Sequence, residues 1–469
     1  MSRITRTIHS MLLCTAVAIA GGCGGGSSNQ SAPSSGAPAP APAPADSAQP
    51  DPAIDADATF FYFSYDESAS TASRDLSLFA LDSGRKPSKE FGRPYEFLNA
   101  ETFDGFQAQA VGAFEVSMTL RRPASGDLPI AVSDDNELFV LGVNVTGPSL
   151  PLEARRNLVL TVLVDISGSM ESPYASETRS DVRSLLDVVK YGLSRIGPSL
   201  KAGDVLNLVT FSTNAQVVAE GLDPMTGAFE SHVGELATNG STDIRKGVDL
   251  AYEVANRTFD PAKANRVLLL TDAFVNTGDL DPDAIASAAV RGDLEGVRFS
   301  AIGIGAQFND AVLNTVSDAG RGSYSAMITP NDAERLFTAD FSRFIELAAT
   351  NTRFRLDYPA ALDQLRSFGE EISTDPQAVQ PVNFSYDSSQ FFVELFKSSA
   401  PITGSEELKL SIDYTDAAGE TKSVSVSRSI NDLPVACTRS RSRTLRMLCI
   451  DRISSVSVVS SLPSEVSSV

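Results

Sequence analysis

Apolar residues follow two different periods along this chain. Between about residues 155 and 350, unbroken aliphatic runs alternate with stretches whose apolar residues recur every three or four positions; outside that span, apolar and polar residues alternate. The first pattern predicts buried parallel strands between amphipathic helices, and the second predicts half-buried strands. Leu158–Val164, Asp204–Phe211 and Arg266–Asp272 read as strands, with Ala215–Glu220 as an antiparallel edge. Val182, Leu185, Leu186, Val189, Leu193 and Ile196 form a helical stripe; Gly227–Ala237 and Asp243–Ala255 are also expected helices. Pro282–Val290, Val297–Ile304, Asp310–Asp318, Ser323–Ile328 and Asn331–Ala349 continue as helix, strand, helix, strand and helix. The expected fold class is α/β, a doubly wound, mostly parallel sheet flanked by helices.

The flanks carry the period of strands. Ala113–Arg121 and Glu137–Val145 alternate before the α/β segment; Thr352–Tyr358, Phe391–Phe396, Glu407–Tyr414 and Lys422–Ile430 do so after it. Strands on both sides of an inserted unit predict one β-sandwich built from two separated pieces, because the two ends of a compact domain usually lie close together. The expected boundaries are an N-terminal β-rich region at 55–151, the α/β domain at 152–350 and a C-terminal β-rich region at 351–430.

The ends look different. Arg3 and Arg6 precede a short apolar stretch, Met11–Ala20, and then Ala20-Gly21-Gly22-Cys23, which reads as an export signal over 1–22. That stretch is too short to span a membrane. The segment 23–54 is Gly, Ser, Ala and Pro with almost no large apolar residue, so it has nothing from which to build a core and is expected to act as a disordered spacer. Residues 431–469 begin with a basic stretch between Cys437 and Cys449 and end in a Ser/Val tail. An exported chain would permit a disulfide between those two cysteines.

Charge narrows the function. With 59 acidic against 38 basic residues and a formal charge of −21, the chain is not expected to bind nucleic acid or an anionic membrane surface, and it is compatible with hard cations. The chemistry concentrates at the carboxyl ends of the expected strands. Asp165-Ile166-Ser167-Gly168-Ser169 follows one buried run and Asp272 ends another; parallel neighbours would deliver both carboxylates to one crevice. Like charges at close range need a proton or a cation between them. Asn239-Gly240-Ser241-Thr242-Asp243 would add hydroxyls from a third loop. A second Asp-x-Ser-x-Ser spelling at Asp66–Ser70 follows the aromatic run Phe60–Tyr65, but polar, turn-like sequence without a clear amphipathic helix comes after it, so it reads as a solvated loop.

Asp165, Ser167, Ser169, Thr242 and Asp272, in that order and context, resemble the D-x-S-x-S…T…D metal-ion-dependent adhesion site of the von Willebrand factor type A domain, over about residues 155–350. The resemblance implies a divalent cation, Mg²⁺ first and Mn²⁺ or Ca²⁺ as alternatives, held by oxygen ligands and left open to an Asp or Glu of a protein partner. An all-oxygen set independently suits these cations better than zinc or copper. Ala20–Cys23 resembles the lipobox of bacterial lipoproteins, which implies lipidation of Cys23 and a chain anchored to the cell envelope, at the outer membrane or cell surface, without spanning it. The order of parts also resembles bacterial proteins in which a short amino-terminal module, here echoed by Pro94–Asn99, precedes the type A domain; Tyr324 and Asp332–Phe337 resemble that domain's end.

Catalysis is not expected. Asp243 reads as a helix cap and not a general base, and His232 has no nucleophile motif around it. Asp279, Asp281 and Asp283 read as helix-start acids and not an EF-hand loop, and Arg291-Gly292-Asp293 as a chance tripeptide. The expected function is cation-dependent protein binding or adhesion. The alternatives are an envelope assembly factor acting through its β-rich flanks and, more remotely, a metal-dependent hydrolase.

Overall fold

The computed structural model describes residues 54, 57–64, 70–99, 108–122, 138–174, 181–274, 278, 281–320 and 322–433. The expected signal 1–22, Cys23, the spacer up to residue 53, Asp66, Asp279, Cys437 and Cys449 lie outside them. All described residues belong to the unit Pro50–Val469.

The amino-terminal flank holds β1 (Phe60–Ser64), α1 (Ala72–Asp82), α2 (Pro94–Asn99), β2 (Gln109–Val111), β3 (Phe114–Arg121) and β4 (Leu138–Thr146). The α/β segment follows with β5 (Leu158–Asp165), α3 (Leu185–Ser194), β6 (Val205–Phe211), β7 (Ala215–Leu222), α4 (Ala228–Gly234), α5 (Ile244–Arg257) and β8 (Ala264–Thr271). It continues with α6 (Pro282–Glu295), β9 (Val297–Ile304), α7 (Asp310–Ala319), β10 (Tyr324–Met327), α8 (Pro330–Phe337) and α9 (Phe341–Ile345). Its sheet has the order β10-β9-β8-β5-β6-β7, parallel except for the β6–β7 edge pair.

Every residue of β5 and β8 is buried, as continuous aliphatic runs require when helices cover both faces of a sheet. Leu160, Val162 and Val164 face one core with Val189 and Leu193 of α3 and Leu336 and Phe337 of α8. Leu163, Val267 and Leu269 face the other, with Val248 and Ala251 of α5, Ile285 of α6 and Leu313 of α7. Local signals start the helices: Ser184 and Asp187 form a reciprocal capping box at α3, and Asp243 caps α5 by accepting from the Lys246 amide.

After the α/β segment come β11 (Leu347–Asp357), β12 (Leu362–Ser367), β13 (Glu371–Ser373), β14 (Val382–Ser385), β15 (Ser389–Ser398), β16 (Glu407–Asp416) and β17 (Thr421–Ser429). The two flanks interleave. One sheet runs β13-β1-β11-β16-β17, with β14 also on β11; the other runs β12-β15-β4-β3-β2. Phe61, Phe63, Val143, Phe354, Phe392 and Leu410 meet in a shared core, where the Phe63 and Phe392 rings stack edge to face at 4.5 Å. Neither flank could bury its apolar face without the other.

Three expectations need correction. The helix expected over Asn331–Ala349 stops at Phe337, restarts briefly as α9 and gives way to β11. The Thr338 hydroxyl folds back on the Glu334 carbonyl (2.5 Å) and Arg335 pairs with Asp340, while Ala349 is claimed by Asp416 of β16. Strand pairing there overrides local helix propensity. A boundary between 350 and 351 therefore cuts through one strand. In the amino-terminal region, the polar stretch after Ser70 is the helix α1; Ala72 and Leu76, one turn apart, are enough to dock it in the α/β core. That region is thus not uniformly β, since Leu98 of α2 also packs against Phe391 and Val393 on the outer face of β15.

Glu394 of β15 is fully buried, and burial pushes its carboxyl up to about 8, only partly offset by the Ser367 hydroxyl at 2.9 Å and by Gln364. The folded state therefore favours the protonated acid. The associated stability is fully present below about pH 4.5 and is lost as pH rises through 8, by on the order of a few kcal/mol. Urea denaturation at pH 5, 7 and 9 should show this decline, and Glu394→Gln should flatten it.

Candidate metal centre

The parallel pairing of β5 with β8, in register from Leu158↔Ala264 to Val164↔Leu270, brings Asp165 and Asp272 to adjacent positions at one sheet edge. Asp165, Ser167 and Thr242 are fully buried and Asp272 is 1 % exposed; Ser169 is half-buried. Burial of a polar cluster on this scale costs free energy unless each group is matched by a partner.

Asp165 is held on both oxygens. Its Oδ1 accepts from the Ser167 amide at 2.8 Å, and its Oδ2 accepts from the Thr271 hydroxyl at 2.5 Å. Burial raises its carboxyl to about 6; the hydrogen bonds from Ser167 and Thr271 work against that rise, and the charge of Asp272 adds to it. Burial also raises Asp272, and the nearby Ser169 hydroxyl and the Phe274 amide oppose it. Asp272 Oδ1 accepts from that amide at 3.3 Å, whereas Oδ2 is buried with no hydrogen-bond partner among the described residues. Ser167 Oγ lies 3.1 Å from Ser169 Oγ.

The loops carrying these groups are tied to one another. The Gly168 amide donates to the Gly240 carbonyl (3.0 Å), the Asn239 amide to the Ile166 carbonyl (2.6 Å) and the Asp243 amide to the Ser212 carbonyl (2.9 Å). Gly240 has φ +68°, and a Cβ there would sit 2.6 Å from Thr213 Oγ1, so glycine suits the close approach of Thr242's loop to the turn between β6 and β7. Ala273 takes a left-handed φ of 53°, and its amide donates to Thr271 Oγ1 at 2.8 Å. Thr271 thus braces Asp165 with one hydroxyl while fixing the turn that presents Asp272. Phe274, 45 % exposed, forms an apolar rim beside it.

Thr271 and Ser212 were not singled out from the sequence; the Ser212 hydroxyl donates to Oδ1 of Asn239, which opens the third loop, at 2.7 Å. The only signal for Thr271 is a hydroxyl interrupting the aliphatic run Leu268-Leu269-Leu270 immediately before Asp272. Other candidates fall where ordinary structure explains them. Asp243 is a cap and pairs with Lys246 at 3.0 Å; His232 is half-buried on α4; Asp281 caps α6 by accepting from the Asp283 amide; Arg291–Asp293 lies within α6, where Asp293 pairs with Arg298 at 3.7 Å. Among the described residues no three His, Cys, Asp or Glu side chains gather as a metal cluster. Any cation at this edge would therefore depend on hydroxyls. The buried, unpartnered Asp272 oxygen and the all-oxygen donor set fit a hard divalent ion.

Residues 160–274 match the family model of the von Willebrand factor type A domain. The chain is 26% identical over 262 residues to an uncharacterized protein, YfbK, of Escherichia coli K12, covering 53% of this chain and 43% of that one. It is 25% identical over 264 residues to inter-alpha-trypsin inhibitor heavy chain H3 of Mesocricetus auratus, covering 54% of this chain and 27% of that protein. The alignments thus span about half or less of these curated relatives. Among solved structures, a von Willebrand factor type A protein from Catenulispora acidiphila aligns with a TM-score of 0.42 at 17% identity, covering 69% of this chain and 75% of that one.

Thr271→Val keeps the shape of the side chain but strips Asp165 Oδ2 of its hydrogen bond. In EDTA it should lower unfolding stability by about 1–3 kcal/mol, the cost of a buried acceptor left unmatched, and Thr271→Ser should lose less. Chemical denaturation of the three proteins measures both.

Proposed function

We propose that the von Willebrand factor type A domain contained in this chain binds another protein through a divalent cation, without turnover. Asp165, Ser167, Ser169, Thr242 and Asp272 would hold the ion, Mg²⁺ by preference, and the ion would supply an open coordination position for an Asp or Glu of the partner. The observation that carries this reading is the pair of buried carboxylates on adjacent strands, one of which keeps an oxygen without a partner beside converging serine hydroxyls. Recognition is favoured over hydrolysis because Asp243, the acid considered as a general base, is already committed to the α5 cap and to Lys246.

The same proposal places the domain on the bacterial envelope, tethered through a lipid on Cys23 and held off the membrane by the 23–54 spacer. Among the described residues no helix is long and apolar enough to cross a membrane.

Calorimetry should detect Mg²⁺ or Mn²⁺ binding by the wild type and none by Asp165→Ala; equal heats from both would remove the proposed site. Capture from envelope extracts should then recover a partner in Mg²⁺ and lose it in EDTA, whereas a chelator-resistant complex would assign binding to the β-sandwich. Membrane fractionation tests the tether separately: Cys23→Ser should move the protein from the membrane to the soluble fraction.

A further inference from the structure

Arg93 immediately precedes α2 on the amino-terminal flank, yet its guanidinium is directed at the α/β unit. Nη1 and Nη2 donate to the two carboxylate oxygens of Asp310 at 2.9 and 3.0 Å, across 217 positions of sequence. Asp310 opens α7, is buried, and accepts a third hydrogen bond from the Tyr324 hydroxyl of β10 at 2.8 Å. A two-pronged contact of this kind fixes direction as well as distance. The clamp is braced from behind as well: Arg93 Nε pairs with the fully buried Glu96, whose Oε2 accepts from the Ser70 hydroxyl and the Ser73 amide at 2.9 and 2.7 Å. α2 itself is seated on the sandwich, where Leu98 packs against Phe391 and Val393 of β15.

The residue before Asp310 touches the candidate site. The Asn309 amide donates to the Asp272 carbonyl at 2.9 Å, and the Asn309 side chain caps α7 by accepting from the Val312 amide at 3.4 Å. Ala273, with its left-handed φ, comes next after Asp272, so this bond ties the backbone of Asp272 to the start of α7 where the chain turns away from β8. Asp310 and Asn309 share a peptide unit and move together. Without Arg93, the Tyr324 hydroxyl would be the one side chain left on a buried carboxylate among the described residues. A buried charge stripped of its partner is strongly unfavourable. The direct relief is a shift of the 309–310 segment toward water, which would release the Asp272 carbonyl.

We propose that Arg93 is a positioning residue for the cation site: by clamping Asp310 it holds the Asn309 amide on the Asp272 carbonyl and thereby sets the direction of the Asp272 carboxylate. The inference rests on the cation reading above and adds its control. The β-sandwich, acting through α2 and Arg93, tunes the affinity for an ion that it does not touch.

The test uses the full chain and two readouts, Mn²⁺ affinity by calorimetry and amide hydrogen exchange in EDTA. Arg93→Met should weaken Mn²⁺ binding about two- to thirtyfold, the range produced by substitutions at coupled positions. It should also speed exchange, before any metal is added, in the segments carrying the Ala273, Phe274 and Asn309 amides. Arg93→Lys keeps the charge but loses the fork, so it should fall between the wild type and Arg93→Met, and it carries the test alone if Arg93→Met does not fold. Arg156→Met is the control for lost stability. It removes the partner of the buried Glu346, 2.7 Å away, just before β5 and so at the end of that strand opposite Asp165. It should lower unfolding stability and leave Mn²⁺ affinity at the wild-type value. Wild-type affinity in the folded Arg93 variants, or unchanged exchange around Ala273, reduces the clamp to a structural contact and leaves the cation site standing. An equal loss of affinity in Arg156→Met overturns the proposal as well, because affinity would then merely follow stability. Absence of Mn²⁺ heats from the wild type sinks the cation site, and the positioning role with it.

Discussion

Two carboxylates that water barely reaches stand at the ends of adjacent parallel strands, and the surrounding structure is arranged to keep them there. Burial raises the cost of ionising Asp165 and Asp272, and the charge of Asp272 adds to it at Asp165. The chain answers with donors: the Ser167 amide and Thr271 hydroxyl on Asp165, the Phe274 amide on Asp272, and a left-handed Ala273 that makes the turn. One Asp272 oxygen stays outside this scheme. A structure needing only stability would gain by replacing such a pair with apolar residues, and the proposed function gives the pair another purpose, the holding of a positive ion.

The same edge is linked to the rest of the molecule by polar contacts of high sequence separation. The Asn309 amide donates to the Asp272 carbonyl at 2.9 Å, and the next residue, Asp310, receives the Arg93 guanidinium on both oxygens at 2.9 and 3.0 Å and the Tyr324 hydroxyl at 2.8 Å. Arg93 also pairs with Glu96, which accepts from the Ser70 hydroxyl and the Ser73 amide. The amino-terminal helices are therefore fastened to the α/β unit one residue away from a contact to the candidate site. The flank is part of the support for that edge as well as half of a sandwich.

The sandwich imposes its own condition. Because β1 pairs with β11 and β4 with β15, the α/β unit is inserted between two pieces that fold only together. Its two ends are consequently held by a common β scaffold, with Arg155 and Asp204 joined by a buried ion pair of 2.6 Å close to the entry strand. In the proposed function this scaffold presents the candidate metal edge as a fixed surface.

The sequence by itself determined the parts whose signals are local and repetitive. Strand-like apolar runs marked β5, β6, β8 and β9; apolar stripes marked α3 and α5, the latter with Asp243 as its cap; and alternating residues marked strands in both flanks. Asp165, Ser167, Ser169, Thr242 and Asp272 stood out as candidates, because their spacing and strand-end context resemble a known motif. Tertiary structure alone decided what depended on distant partners. It ended the helix at Phe337 and drew Leu347 onward into β11, since pairing with β16 outweighs helix propensity there. It made a helix of the polar stretch after Ser70, because the α/β core offers a seat for Ala72 and Leu76. It also recruited Thr271 and closed Gly240 against Gly168: a hydrogen bond between residues 106 positions apart leaves no periodic trace in a chain, and is written only in the register of two strands.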